Sequence, residues 1–313
     1  MSTEDLQNLT NILQGVLNPD NNLRKEAELK LNQIRENKPA FCFCLTKLLV
    51  ESPEKSVKTL ASVLLRKTLS IGDKEEVSAA WLVMDANTKT SIKENILKAV
   101  IAEADKNQKI KYCDTMATVA ENVFESKDTW PDLFNYIYEG ISLELNPTNI
   151  PNIETVLFLL TQIFGLVYEE MITKLEAFIT TFQNFFKSDD FNLKSRTSQV
   201  IAEILSIVKK KDSKKFKEFV PLILEHTMKC LTTDKQEHNL KICIMALSDL
   251  ANSEPNILRK WFGDLFILLG KISEKKDLDE QSLRDLGFEI IVTLVESQPK
   301  LFTTDKDRMN VFI

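Results

Sequence analysis

The chain has 313 residues, of which 43% are hydrophobic and 27% charged, and a formal net charge of −6. This length exceeds what one hydrophobic core usually serves, so several domains or a repeat array are expected, and the composition excludes a disordered chain. The acidic charge disfavours nucleic acid and favours basic partners, while only 7 glycines argue against glycine-rich ligand loops.

Apolar residues recur at three- and four-residue steps along the whole chain, a spacing that predicts amphipathic helices and no strand of any length. Four helices come first, at 4–17, at 22–36, from Pro39 to Pro53, and from Val57 to a stop at Gly72 and Asp73. Gly72 is expected to cap the fourth helix in a left-handed conformation, and Asn87 or Thr88 to cap the next one. The later helices are predicted at 88–104, 109–124, 132–144, 151–167, 171–187, 192–209, 213–231, 236–252, 255–272 and 279–296.

Taken in pairs, these helices repeat about every forty residues, which is the period of HEAT and armadillo arrays. The fold class predicted is therefore all-α, a right-handed α-solenoid of about seven antiparallel helix pairs, with 1–313 as a single array. Pro221 lies inside a periodic run, where it should kink the helix, as in the first helix of many HEAT repeats. An eighth pair is expected to begin near Pro299, and the apolar end at Asn310–Ile313 favours a fragment.

No catalytic, cofactor or metal site is predicted. His226 and His238 have no nucleophile paired to them by a known motif, and no histidine or cysteine partners stand at zinc spacing from the 5 cysteines. Structural histidines and buried, reduced thiols are expected instead. The basic run Lys209–Lys215 is interpreted as a solvated turn at a helix end, so direct binding of nucleic acid is not expected. No apolar run is long enough to span a membrane, so a membrane partner is not expected either.

Several segments resemble landmarks of the importin-β (karyopherin-β) family. The N-terminal signature is matched by Arg24-x-x-Ala27-Glu28-x-x-Leu31 followed by Pro39, and by Ala61-Ser62-Val63-Leu64-Leu65-Arg66-Lys67. Two further segments are similar to family landmarks, Trp81-Leu82-x-x-Asp85-Ala86-Asn87 and Trp130-Pro131-Asp132-Leu133. Leu64–Ser70 and Arg284–Leu294 favour the importin-5 (karyopherin-β3) branch, and the chain would be its N-terminal portion.

The resemblance implies a non-enzymatic nuclear transport receptor that shuttles between cytoplasm and nucleus. It implies that repeats 1–3, in 1–125, present their second helices to the GTP form of Ran, while 126–313 holds repeats 4–7 and the start of repeat 8. Phenylalanine-glycine (FG) segments of nucleoporins would bind outer helices, and basic cargo such as ribosomal proteins or histones would bind the concave side. The Ran candidates are Lys25, Glu28, Arg66, Lys67, Asp114 and Glu121; the FG candidates are Leu175, Ile179, Phe182, Phe219, Leu222 and Ile223.

Each of these assignments has a structural alternative. The FG candidates can equally be core residues, and Arg24 and Glu28 can form salt bridges within the array. Trp81 and Trp130 are expected to anchor packing between repeats, and Ala27, Ala61, Ala117 and Ala120 to allow close approach of paired helices. The alternative function is a HEAT-repeat scaffold for a phosphatase or ubiquitin-ligase assembly, which would need neither the N-terminal signature nor the Trp-Pro landmark.

Overall fold

The fold was analysed in a computed structural model that describes residues 3–72, 75–274 and 281–299, and within these ranges the regular structure is entirely helical. Contacts divide the chain into two compact units, Met1–Glu139 and Gly140–Ile313. The helices of the first unit are α1 (Thr3–Val16), α2 (Asn21–Ile34), α3 (Lys38–Glu51), α4 (Lys55–Leu69), α5 (Ala79–Leu82), α6 (Ala86–Ala102) and α7 (Lys106–Glu125). Helix α8 (Pro131–Ile141) runs across the division.

The second unit continues the same pattern with longer helices separated by short ones. Its helices are α9 (Ile150–Ile163), α10 (Tyr168–Met171), α11 (Leu175–Phe186), α12 (Phe191–Ile207), α13 (Lys210–Ser213), α14 (Phe219–Thr232), α15 (Glu237–Ser253), α16 (Pro255–Leu258), α17 (Phe262–Glu274) and α18 (Gln281–Ser297). Six of the seven predicted pairs are formed by long helices that contact each other: α1/α2, α3/α4, α6/α7, α11/α12, α14/α15 and α17/α18. In chain order, α8 and α9 correspond to the predicted fourth pair. The predicted eighth pair, beyond Pro299, and the apolar end of the chain lie outside the described residues.

The starts of many helices are fixed by side chains that accept hydrogen bonds from unpaired backbone N–H groups. Asp20, Asp85, Asp105 and Asp190 each do so at the start of a helix, in α2, α6, α7 and α12 respectively. The predicted cap at Asn87 or Thr88 was therefore wrong, since Asp85 accepts from the Thr88 N–H at 2.9 Å. A carboxylate at this position also offsets the positive end of the helix dipole.

The predicted glycine cap after α4 is also wrong. Helix α4 ends at Leu69 with Ser70 in an extended conformation, and Gly72 does not adopt a positive φ. The carbonyl oxygen of Leu69 is instead satisfied by a side chain of a later helix, Asn122. This capping by a distant residue removes the need for a left-handed residue at the helix end.

Three predicted helices of the second unit are each broken near their start. The segments predicted at 171–187 and 213–231 begin on the last residue of a short helix, α10 or α13, and cross a three-residue 3-10 turn before the main helix α11 or α14. The segment predicted at 255–272 contains all of α16, a 3-10 turn and most of α17. Pro221 is consequently the third residue of α14 rather than an interior residue. Because the first N–H groups of a helix have no partner within it, the proline removes no helical hydrogen bond there, and the predicted kink is replaced by a helix start.

All but one of the predicted packing residues are buried. Trp81 and Trp130 are buried, and the Trp81 indole N–H donates to Ser126 Oγ at 3.3 Å, which links α5 to the end of α7. Ala27, Ala61 and Ala120 are buried, whereas Ala117 is partly exposed. A Cβ on Gly15 of α1 would lie 2.8 Å from that of Ala27 on α2, so this pair needs both small residues.

All five cysteines are buried and unbridged, as expected from the sequence. Burial raises the pKa of Cys42 and of Cys113 to about 12, so these two thiols stay protonated at neutral pH. No helix within the described ranges combines the length and apolarity that crossing a bilayer requires.

Candidate partner-binding surfaces

The second helices of the second and third pairs, α4 and α7, are joined by a row of polar contacts. Lys55 Nζ lies 2.8 Å from Asp105 Oδ2, Thr59 Oγ1 donates to Gln108 Oε1 at 2.6 Å, and Arg66 pairs with Asp114. The hydrogen bond from Lys55, followed by that from the Gln108 N–H, lowers the pKa of Asp105. These contacts set the register between consecutive repeats.

Asn122 completes this row in the interior. Its side chain is fully buried, its amide NH2 donates to Leu69 O at 2.8 Å, and its Oδ1 accepts from the Ser78 N–H at 2.9 Å. One side chain of α7 thus satisfies the end of α4 and the start of α5. Because both backbone groups are sequestered from water, losing either hydrogen bond would be costly.

The Ran candidates lie on the second helices, and two of them contact each other. Lys25 and Glu28 are exposed on α2, and Lys67 is exposed on α4. Arg66 Nη1 of α4 lies 3.4 Å from Asp114 Oδ2 of α7, with side-chain exposures of 46% and 27%. The Arg66–Asp114 pair is therefore both a contact between repeats and part of an accessible charged surface.

Five of the six FG candidates are core residues. Leu175, Ile179, Phe182, Phe219 and Ile223 are buried, and only Leu222 is partly exposed. The Phe182 and Phe219 rings are 6.5 Å apart in an edge-to-face arrangement that joins α11 to α14. For these five, the structure favours the alternative left open by the sequence, which is packing between outer helices.

An apolar groove lies beside these residues, between the outer helices α14 and α17. It has a volume of about 250 Å³ and is lined by Pro221, Leu224, Glu225, Met228, Asp264, Ile267 and Leu268. Ile267 is 53% exposed on its rim. A larger groove, of about 710 Å³, lies between α11 and the segment that follows α8, and its lining is more polar. The α14–α17 groove is therefore the better receptor for an aromatic side chain.

Three carboxylates occupy successive second helices of the second unit: Glu203 on α12, Asp249 on α15 and Glu289 on α18. Burial, and after it the charge of Asp249, raises the pKa of Glu203. Asp249 is exposed, but partial desolvation by its neighbours, and after it the charge of Glu289, raises its pKa. The three groups thus repel one another along a single row, which we call the carboxylate row, and its negative potential favours a basic ligand.

One group of polar residues was missed by the sequence analysis. His226, Cys230 and Cys243 are all buried, and their ligand atoms lie within 4.8 Å of one another. His226 and Cys230 are four residues apart on α14, so they share a helix face. The third member comes from α15, and its approach could not be read from the spacing along the chain.

Comparisons with known proteins agree with this architecture. The importin-β N-terminal domain matches residues 27–102, and the family described as IPO5-like, TPR repeats matches residues 104–268. Importin subunit beta-3 of Saccharomyces cerevisiae is 21% identical over 312 residues, which cover 96% of this chain but 27% of that protein. The chain therefore spans about a quarter of the length of this curated relative.

Solved structures of the protein Kap121p share the fold. Kap121p alone superposes with a TM-score of 0.78 at 19% identity, covering 99% of this chain and 28% of Kap121p. Kap121p bound to RanGTP gives 0.76 at 20% identity, with the same coverage of both chains. Kap121p bound to Nup53p gives 0.76 at 19% identity, covering 99% of this chain and 29% of that one. The predicted all-α solenoid is confirmed, and the chain belongs to the importin-β family.

Proposed function

We propose that this chain acts in nuclear transport as a receptor of the importin-5 type, working by binding rather than by catalysis and shuttling through the nuclear pore. Its first three helix pairs would bind Ran in the GTP form, its outer helices FG nucleoporins, and its carboxylate row basic cargo. The observation that carries the proposal is the match to the importin-β N-terminal domain at 27–102, which includes the exposed charges Glu28, Arg66 and Lys67 and begins two residues after Lys25. Kap121p, which shares the fold, has been solved with RanGTP and with Nup53p.

The Arg66–Asp114 pair allows direct recognition of Ran to be separated from a structural role. Arg66→Glu places two carboxylates next to each other, whereas Arg66→Glu combined with Asp114→Arg restores an ion pair with its charges exchanged. Since both side chains are partly exposed to solvent, breaking the pair should cost at most about 1 kcal/mol of folding free energy. Both proteins should therefore unfold at nearly the temperature of the unmodified chain.

We expect the single variant and the exchanged pair both to bind Ran–GTP at least about tenfold more weakly, because the partner reads the sign of each charge. Lys98→Glu is the matched control, because Lys98 is an exposed residue paired with Glu94 on α6, the first helix of the third pair; this variant should leave binding unchanged. Full recovery of binding in the exchanged pair would show that Arg66 and Asp114 only hold the repeats together. An equal loss of affinity for Ran–GTP in the control variant would show that the effect of charge is not specific to Arg66 and Asp114.

The α14–α17 groove supports a proposed FG site that differs in position from the buried candidates. Ile267→Glu would place a charge on its apolar rim without disturbing the core, since that side chain is 53% exposed. We expect a fluorescent phenylalanine-glycine peptide to lose affinity for this variant in an anisotropy titration. Ile101→Glu, an equivalent change at an isoleucine 58% exposed on α6, is the control, and similar affinities of both variants would contradict the assignment.

A further inference from the structure

The three residues His226, Cys230 and Cys243 form, with Ser195, a compact polar cluster inside the second unit. Ser195 comes from α12 of the fifth pair, and the others come from α14 and α15 of the sixth pair. All four side chains are buried, at relative exposures of 0%, 3%, 2% and 0% for Ser195, His226, Cys230 and Cys243. Most buried residues of α12, α14 and α15 are apolar, so four polar groups that meet at one point are unusual in this core.

These groups converge on one point. Ser195 Oγ lies 2.9 Å from His226 Nε2, Cys230 Sγ lies 3.5 Å from the same nitrogen, and Cys243 Sγ lies 3.4 Å from Ser195 Oγ. A neutral imidazole nitrogen forms one strong hydrogen bond, as donor or as acceptor, yet two groups approach this one. Convergence of several donor atoms on a centre is the arrangement that a metal ion requires.

We propose that His226, Cys230 and Cys243 bind a structural metal ion of the zinc class, with Ser195 Oγ closing the fourth position. Tetrahedral zinc with Zn–S of about 2.3 Å and Zn–N of about 2.0–2.1 Å places sulfur and nitrogen ligands about 3.5 Å apart. The Cys230 Sγ–His226 Nε2 distance of 3.5 Å already has this value, and all three ligand atoms lie within 4.8 Å of one another. Only a small inward movement of Cys243 is needed.

The charge and the donor types also suit this ion. Binding would release one proton each from Cys230 and Cys243, and the two thiolates would balance the 2+ charge, so the buried site would be neutral overall. Two sulfur ligands and one imidazole favour a borderline or soft ion over Mg²⁺ or Ca²⁺, which prefer oxygen. The ion would join α12, α14 and α15 and so fix the fifth helix pair against the sixth.

The test uses the full chain, unfolded with a chelator and reductant and then refolded with Zn²⁺ or with Co²⁺. We expect about one zinc per chain after desalting, a melting temperature that rises with Zn²⁺, and a thiolate-to-cobalt charge-transfer band in the Co²⁺ form. Cys230→Ser and Cys243→Ser should each weaken zinc binding at least about tenfold. Cys42→Ser and Cys113→Ser remove equally buried thiols outside the cluster and should retain the metal.

Three results would overturn the proposal: no zinc retained by the unmodified chain, equal zinc in the cluster variants and the controls, or a Co²⁺ form without the charge-transfer band. In the first case the cluster is a hydrogen-bonded one only. If a cluster variant does not refold, as judged by its helical circular dichroism, the presence or absence of the charge-transfer band in the Co²⁺ form of the unmodified chain is the test. The proposed transport function does not enter this test.

Discussion

Asn122 shows how a single buried side chain can hold consecutive repeats together. Its amide binds the carbonyl of Leu69 and the N–H of Ser78, two backbone groups that lack helical partners. The sequence predicted that α7 is an amphipathic helix, but not that this asparagine faces inward to bind the preceding repeat. Such a partner depends on how two helix pairs dock, which local periodicity does not encode.

We expect Asn122→Ala to be strongly destabilising, by about 2–6 kcal/mol, because two buried backbone groups each lose a partner at roughly 1–3 kcal/mol. Urea unfolding followed by circular dichroism measures the change. Asn107→Ala, at an exposed position of the same helix, is the control and should alter stability by less than about 0.5 kcal/mol. A small effect at Asn122 would mean that water replaces the amide.

At Asp249, removing the negative charge is expected to raise the folding stability and to lower the affinity for a basic ligand. Partial desolvation and the charge of Glu289 raise the pKa of Asp249, so its ionised form slightly destabilises the folded chain at neutral pH; the effect is small because this carboxylate is exposed to solvent. This penalty is present above the raised pKa and disappears as the pH falls towards the ordinary carboxyl value of about 4. Asp249→Asn should therefore be more stable than the unmodified chain at pH 7, with the difference shrinking on acidification.

The same variant should bind a lysine-rich peptide more weakly, since one charge of the row is lost. Thermal melts from pH 7 to pH 4 and a peptide titration at pH 7 measure the two effects. Glu176→Gln, on α11 and paired with Lys215, removes a carboxylate outside the row and is the control. Unchanged peptide affinity in Asp249→Asn would remove the row from the proposed cargo surface.

At the scale of elements, the long helices were predicted well and their interruptions were not. Apolar residues spaced three and four apart recur through the segments 171–187, 213–231 and 255–272, whether the backbone is α-helical or 3-10. The short helices α10 and α16 bury Met171 and Leu258, so they continue the apolar pattern of the long helices. Periodicity therefore extended the predicted helices through the 3-10 turns and merged α16 with α17, and it did not indicate α10 and α13 as separate helices.

Close approach between paired helices can be tested with two glycines. A Cβ at Gly140 of α8 would lie 2.5 Å from Val156 Cγ2 of α9, whereas a Cβ at Gly270 of α17 would meet nothing within 4 Å. Because a helical valine has one strongly preferred rotamer, we expect Gly140→Ala to cost about 1–3 kcal/mol. Gly270→Ala should instead stabilise the chain by about 0.5–1 kcal/mol, since alanine favours a helix interior.

Chemical unfolding of both glycine variants beside the unmodified chain provides the comparison. The same Gly→Ala change is expected to lower the free energy of unfolding at one position and to raise it at the other, so each variant is the control for the other. A neutral Gly140→Ala would show that Val156 can move away from the added methyl group, and the close contact would then not limit packing at this position.

At the scale of the molecule, the sequence was sufficient for the fold class and the family. A period of about forty residues, proline placement and the Arg24–Leu31 signature predicted an all-α solenoid of the importin-β family, and both were confirmed. The residues that bind partners were harder to predict, because a side chain on an amphipathic helix lies in the core or on the surface according to which elements pack against it. Phe182 and Phe219 illustrate this, since their apolar character fits either role and the structure buries both.

The most direct test of the central claim is the affinity of the unmodified chain for Ran in its two nucleotide states, measured by biolayer interferometry. A transport receptor of this family should bind the GTP form at least about tenfold more tightly than the GDP form, a difference of about 1.4 kcal/mol or more. Equal affinity for the two forms, or no binding to either, would contradict the proposed function and favour a helical scaffold for other assemblies.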